Sequence, residues 1–211
     1  MLVLACGFGM SWQKFKETAL TYGLVLTDEE AERAVVAWRA ANSHIVKFWW
    51  DLDRAAKDVV SQGPNTAPVT VGHIKFAMWQ GHLLMRLPSG RTLCYRNAKI
   101  EADSQGRMGL TYMGINQYTR KWERTRTYGG KLAENATQAV ARDVMADAML
   151  RAGKRTGLHT TMLVHDELIA EAPLHYTNAL PDLLSEMLQV PVWATGLPIG
   201  AEGWEGPRYK K

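Results

Sequence analysis

Between residues 158 and 173 the chain reads Leu-His-Thr-Thr-Met-Leu-Val-His-Asp-Glu-Leu-Ile-Ala-Glu-Ala-Pro, so a charged triplet, His165-Asp166-Glu167, interrupts two short apolar runs. Thr160 to Val164 and Leu168 to Ala172 suit short, mostly buried strands. The triplet between them is then the tip of a hairpin, lifted to one edge of a sheet. A carboxylate held there is able to bind a metal ion, but polar residues at a hairpin tip also make an ordinary solvated turn. The triplet alone leaves both readings open.

A chain of 211 residues is enough for one large domain or two small ones, and its apolar and charged fractions are those of a globular protein rather than a disordered one. The net charge is only +4, yet it is unevenly placed. Arg120, Lys121, Arg124, Arg126 and Lys131 crowd together, opposed locally by Glu123 alone. Such a cluster suits phosphate, and it also suits a plain solvated face. Cys6 and Cys94 lie far apart and fit neither a disulfide framework nor a zinc site, which points to a reducing cytoplasm. The apolar opening, Leu2 to Phe8, lacks a basic flank and is too short for a signal peptide or a bilayer span. It is helix-like from the first residue without a capping side chain, as though earlier turns of the same helix were missing.

Thr27-Asp28-Glu29-Glu30 predicts a capping box, after which Ala31, Ala34, Val35, Trp38 and Ala41 form a helical stripe to about Asn42. Ser43 is placed to cap a second helix, with Ile45, Val46, Trp49, Leu52 and Ala56 facing inward, stopped by Gly63-Pro64. Trp49 and Trp50 read as core before they read as base-stacking platforms. From Pro64 to about Gly114 short alternating runs broken by glycine predict hairpins, with Pro88-Ser89-Gly90 as one turn and Gly109 to Met113 as a later strand. Gly129-Gly130 precedes a long helix to about Ala152. A last helix over about 178–188 precedes a polar tail.

Four features occur in a fixed order: Gly7-Phe8-Gly9-Met10, Leu87-Pro-Ser-Gly-Arg91, Tyr128-Gly-Gly-Lys-Leu-Ala-Glu-Asn-Ala-Thr-Gln138, and Val164-His-Asp-Glu167. As an ordered set over essentially the whole chain, they resemble the C-terminal portion of a polymerase I-like, family A DNA polymerase of the phage type. The resemblance implies that Asp166 ligates the two magnesium ions that activate the primer 3′ hydroxyl and stabilise the leaving pyrophosphate. It implies that Glu167 tunes that site and that His165 supports the primer terminus. Asn135 and Gln138, three apart on the long helix, would offer amides to the minor-groove acceptors present on every base pair. In bacterial members the two amides are four apart, so Gln138 is the firmer match. The arginine that precedes them in the family has no clear counterpart, Lys131 being the candidate substitute. The cluster of Arg120, Lys121, Arg124 and Arg126 would grip template or primer phosphates. Phe8 matches the fingers tyrosine beside the templating base and incoming nucleotide. Leu4 stands where many members carry an aromatic residue against the sugar, and both residues also suit an ordinary core.

The same resemblance implies an α+β fold, an antiparallel palm sheet with packed helices plus an N-terminal helical fingers segment, divided as residues 1–62 and 63–211. The family's first-motif aspartate and the fingers lysine and arginine that clamp the triphosphate have no counterpart here. A two-ion site needs carboxylates on both sides of the ion pair. Asp143 and Asp147 read as solvent-facing positions of the long helix rather than as substitutes. The chain is therefore expected to be inactive without an upstream polymerase part, whether in the same polypeptide or in trans. Its partners would be primer-template DNA and deoxynucleoside triphosphates, with no membrane, in the host cytoplasm if phage-encoded. The alternative is a non-catalytic remnant that binds primer-template DNA. A metal phosphohydrolase fits less well, since His44, His73, His82, His159 and His175 are scattered.

Overall fold

The computed structural model describes residues 2–116, 119–155 and 157–209, apart from the side chains of Leu2 and Leu4. The fold is α+β, with six helices and a six-stranded antiparallel sheet among the described residues. The chain forms two compact units, Met1–Thr137 and Gln138–Lys211.

In the first unit, α1 (Leu2–Gly7) turns through Phe8 to Met10 into α2 (Trp12–Thr21). Ser11 caps α2 by accepting from the Lys14 N–H, and Phe15 and Ala19, one helical turn apart, bury its inner side. This helix adds an element to those expected from the sequence. The capping box is present as expected: Thr27 accepts from the Glu30 N–H, and Glu30 accepts from the Thr27 N–H, at the start of α3 (Asp28–Ala41). Helix α4 (Ser43–Gln62) follows at once, with Asn42 rather than Ser43 at its N-cap and no side-chain hydrogen bond there. It stops at Gly63, whose φ of 84° suits a residue without a Cβ. Trp49, Leu52, Ala56 and Val59 are buried along one side, while Ile45, expected inside, is exposed. Trp49 stacks on Trp38 at 6.2 Å, nearly parallel, while Trp50 is 63% exposed. One tryptophan of the pair is thus core and the other surface.

The sheet is a simple meander, β1 (Val69–Val71), β2 (Ile74–Trp79), β3 (His82–Arg86), β4 (Thr92–Ala102), β5 (Met108–Ile115) and β6 (Trp122–Thr127), each strand antiparallel to the next. Gln80 and Gly81, both at positive φ, make the two-residue β2–β3 turn that right-twisted strands favour. The expected Pro-Ser-Gly turn joins β3 to β4, closed by the Gly90 N–H donating to the Leu87 carbonyl. Helix α4 packs on β1 to β5, where Phe76, Leu83, Met85 and Leu110 are fully buried with Leu52 and Val59. Each such side chain contributes about 1.5–3 kcal/mol relative to exposure.

Helix α5 (Gly129–Ala152) begins in the first unit and ends in the second. The second unit continues with β7 (His159–Val164), β8 (Glu167–Glu171) and α6 (Ala179–Leu188). Strands β7 and β8 form their own two-stranded sheet. This corrects the expectation of mostly buried strands: Leu168 is the buried residue of the hairpin, and Thr161 and Met162 are exposed. Period-2 burial needs a layer on at least one face, and among the described residues of this unit little apolar surface lies against the hairpin. Tyr176, Asp182, Arg155 and Glu186 tie α6 to the end of α5. The Arg155 Nε donates to Glu186 Oε1 at 2.7 Å, the Arg155 guanidinium pairs with Asp182 at 3.2 Å, and the Tyr176 hydroxyl donates to Asp182 at 2.6 Å.

Candidate functional site

The turn that carries Phe8 is fixed from several sides. The Gly9 N–H donates to Cys6 O and the Met10 N–H to Ala5 O, which closes the end of α1. The Trp49 indole N–H donates to Gly7 O at 2.8 Å, and Arg39 Nη2 donates to Met10 O at 3.2 Å. Glycines explain how α5 begins so near. A Cβ on Gly129 would stand 2.0 Å from the Trp49 carbonyl oxygen, and one on Gly130 would stand 2.2 Å from the Phe8 carbonyl oxygen. The two glycines therefore let the first turn of α5 lie directly on the backbone of α4 and of the Phe8 turn.

Phe8 is half-buried and lines an open cleft of about 540 Å³ with Met10, Lys14, Tyr22, Tyr128 and Glu134. Its lining combines aromatic rings with one lysine and one glutamate. Tyr128 and Tyr22 are contributions that sequence reading missed; Tyr128 was visible only as the residue before the glycine pair. The Lys14 ammonium pairs with Glu17, and Lys131 with Glu134 at 2.9 Å, so Lys131 carries a partner on its own helix.

Nearly two turns into α5, Asn135 donates from Nδ2 to the Tyr95 hydroxyl at 3.0 Å. Tyr95 is buried and sits edge-on to Tyr112, ring centres 5.1 Å apart. Burial pushes its phenol up to about 12, against the downward pull of the Asn135 hydrogen bond. The Asn135 amide is thus oriented from β4, forty residues upstream. Nothing in local spacing announces such a partner. Gln138 is exposed on α5.

The basic cluster is a turn and a strand. Arg120, at φ 59°, and Lys121 are exposed before β6, and neither makes an ion pair among the described residues. Arg124 and Arg126 are already engaged. Arg124 donates to Asn97 O at 3.1 Å and to Thr111 Oγ1 at 3.0 Å, with Glu101 at 3.5 Å. Arg126 donates to Arg107 O at 2.6 Å, with Asp103 at 3.8 Å.

In the second unit Val164 pairs with Glu167, leaving His165 and Asp166 as a two-residue tip. His165 has φ 55°, the left-handed conformation that primed hairpin turns require at their first position. His165, Asp166 and Glu167 are all exposed, and Glu167 accepts from the Tyr209 hydroxyl at 2.8 Å. That bond holds the Tyr209 phenol above its ordinary value. It also returns the C-terminal tail to the hairpin, a contact 42 residues apart that the sequence does not signal. Asp147 pairs with Arg151 along α5. Among the described residues no three His, Cys, Asp or Glu groups gather in the way a metal ion would need. Asp166 and Glu167 are two adjacent exposed carboxylates, a donor type that suits a hard cation such as magnesium. No helix among the described residues is long and apolar enough to cross a membrane.

With this geometry in place, comparison with known proteins gives a specific match. Over 195 residues, 92% of this chain, the sequence is 41% identical to the DNA polymerase of Bacillus phage SP02. The aligned stretch is 29% of that protein, so this chain spans less than a third of its relative. The chain is similar to a portion of a phage DNA polymerase, at an identity well above what fold alone would produce. No family model matches the chain, and no solved structure does.

Proposed function

We propose that this chain is the end of the fingers and the palm of a DNA-directed DNA polymerase of the polymerase I-like family, and that it works with an upstream part not represented in its own residues. The observation that carries this reading is the 41% identity over nearly the whole chain to a phage DNA polymerase. The hairpin supports it, since Asp166 stands at an exposed two-residue tip beside Glu167, able to meet a metal and a primer end.

In this reading Asp166, with Glu167 beside it, holds one side of a magnesium site whose other carboxylate comes from the upstream part. Bound magnesium supplies Lewis-acid stabilisation of the charge that develops during phosphoryl transfer. The remaining work belongs to positioning. The cleft under Phe8 and Tyr128 takes the flat face of a base or nucleotide. The Asn135 amide, braced by Tyr95, and the exposed Gln138 amide offer hydrogen bonds to minor-groove acceptors without reading sequence. Arg120 and Lys121 face phosphate. The substrates are primer-template DNA and deoxynucleoside triphosphates, in the cytoplasm of the host.

The test is primer extension by this chain joined to the matching upstream region of the relative. Asp166→Asn should lower the rate by about three orders of magnitude, the several kcal/mol a metal ligand supports, with primer-template affinity nearly unchanged. Extension that survives the substitution would sink the assignment. Binding of primer-template DNA without any extension would leave a DNA-binding role instead.

A further inference from the structure

Helix α4 covers one face of the six-stranded sheet, and the strand alternation shows what lies on the other. Phe76, Leu83, Met85, Tyr95, Ala98 and Leu110 turn inward and are buried. Their neighbours along the strands turn outward, and among them stand six cations: Lys75, Arg86, Arg96, Lys99, Arg124 and Arg126. A bulge at Asn97, φ 48°, keeps both Arg96 and Lys99 on this face.

The register sets the cations side by side. Lys75 is directly opposite Arg86. Arg96 and Arg124 flank Met113, while Lys99 and Arg126 flank Thr111. Like charges directly opposite each other weaken a strand pair, so the fold tolerates a repulsion here that a polyanion would relieve. The acids available, Glu101 and Asp103, are taken up by Arg124, Arg126 and Arg107. Lys75, Arg86, Arg96 and Lys99 are exposed and make no ion pair among the described residues. Trp79 faces the same way at the end of β2 and is 56% exposed. It is paired with His82, and His82 Nδ1 accepts from the Asn97 N–H, which fixes this corner against β4.

We infer that the open face of the sheet binds a single-stranded segment of template, with Lys75, Arg86, Arg96 and Lys99 on its phosphates and Trp79 stacked on a base. The inference rests on the polymerase reading and adds a surface that the motifs do not include. Cations alone would suit any nucleic acid. The exposed indole among them selects unpaired bases, because only an unstacked base offers a free face. The surface is sequence-independent and salt-sensitive.

The experiment is fluorescence anisotropy of the 211-residue chain with a labelled oligothymidine and with a blunt duplex, over a range of salt. Replacing Lys75, Arg86, Arg96 and Lys99 together by alanine should weaken single-strand binding about tenfold or more. It should also flatten the slope of log affinity against log salt by about 3, four phosphate contacts at roughly 0.7 each. Trp79→Ala should weaken the same binding about tenfold with no change of slope. The double variant Lys75→Gln, Arg86→Gln, which removes the like-charge pair, serves as the folded control should the quadruple variant unfold, and should carry about half the slope change. Unchanged affinity and slope in these variants would overturn the proposal. An equal loss on the blunt duplex would assign the face to duplex instead and overturn it as stated. Failure of this surface leaves the dependence of extension on Asp166 intact, whereas failure of the polymerase reading leaves that dependence absent whatever the surface binds.

Discussion

A Cβ placed on Gly130 would lie 2.2 Å from the carbonyl oxygen of Phe8, so α5 and the Phe8 turn meet backbone to backbone. Gly130→Ala must force them apart. The expected cost is about 2–3 kcal/mol, typical of overpacking where a backbone atom is the obstacle. Urea unfolding measures it, with Gly7→Ala as a control because nothing lies within 4 Å of a Cβ there. A Gly130→Ala protein as stable as the parent would mean that the close approach does not hold α5 in place.

Tyr95 links the sheet to the amide of Asn135, and its burial makes a pH signature. Its phenol rises from 10.0 to about 12 on folding. The neutral form is favoured in the folded state, so the full stability is present below pH 10 and falls as pH rises from about 10 to about 12. Tyr95→Phe should remove this alkaline loss and also release the Asn135 amide. Alkaline unfolding followed by circular dichroism checks the first effect. A weaker grip on blunt duplex DNA, with binding to single strands unchanged, checks the second.

In the second unit Glu186 is buried and receives Arg155 Nε at 2.7 Å and Gln189 Nε2 at 3.0 Å. Arg151 Nε also stands 3.4 Å from Glu186, so removing Arg155 leaves that carboxylate with one cation and one amide. Arg155→Ala should lower the unfolding temperature, because the buried Glu186 loses its shortest ion pair and Asp182 loses a cation at 3.2 Å. Arg155→Met combined with Glu186→Leu should regain part of that, since Asp182 and Arg151 each still lose a partner. Thermal unfolding of the single and double variants decides it, and a double variant no better than the single one would show that the pair is not the cause.

The parts of the fold legible in the sequence are those fixed by neighbours a few residues apart. Thr27 and Glu30 announce their capping box, Gly63 ends α4, and Pro88-Ser89-Gly90 turns a hairpin. The order of motifs also anticipated the match to a phage polymerase. What could not be read depends on long-range pairing. Arg124 looked free for phosphate, yet Asn97, 27 residues before it, takes its guanidinium. The unpaired cations Lys75, Arg86, Arg96 and Lys99 are dispersed in sequence, and only the strand register gathers them on one face. Exposure of β7 and β8 was hidden for a related reason, since apolar composition says that a strand wants cover without saying that its own unit supplies it.

Asp103 organises the β4–β5 turn alone. One carboxylate oxygen accepts from the Gln105 and Arg107 N–H groups, both at 2.9 Å, and the other from Arg107 Nε at 2.9 Å. The backbone hydrogen bond from Arg107 leads in holding its carboxyl down from 3.8 to about 2. The charged form is favoured on folding, so its contribution is present above pH 3.8 and is lost as pH falls toward 2. Asp103→Asn keeps the shape but should flatten the acid dependence of stability across that window, because an amide does not titrate and accepts hydrogen bonds more weakly. The same substitution frees Arg126 from its 3.8 Å neighbour. It should therefore strengthen single-strand binding at neutral pH while lowering stability. An acid unfolding midpoint identical in parent and variant would show that the turn does not depend on the charge.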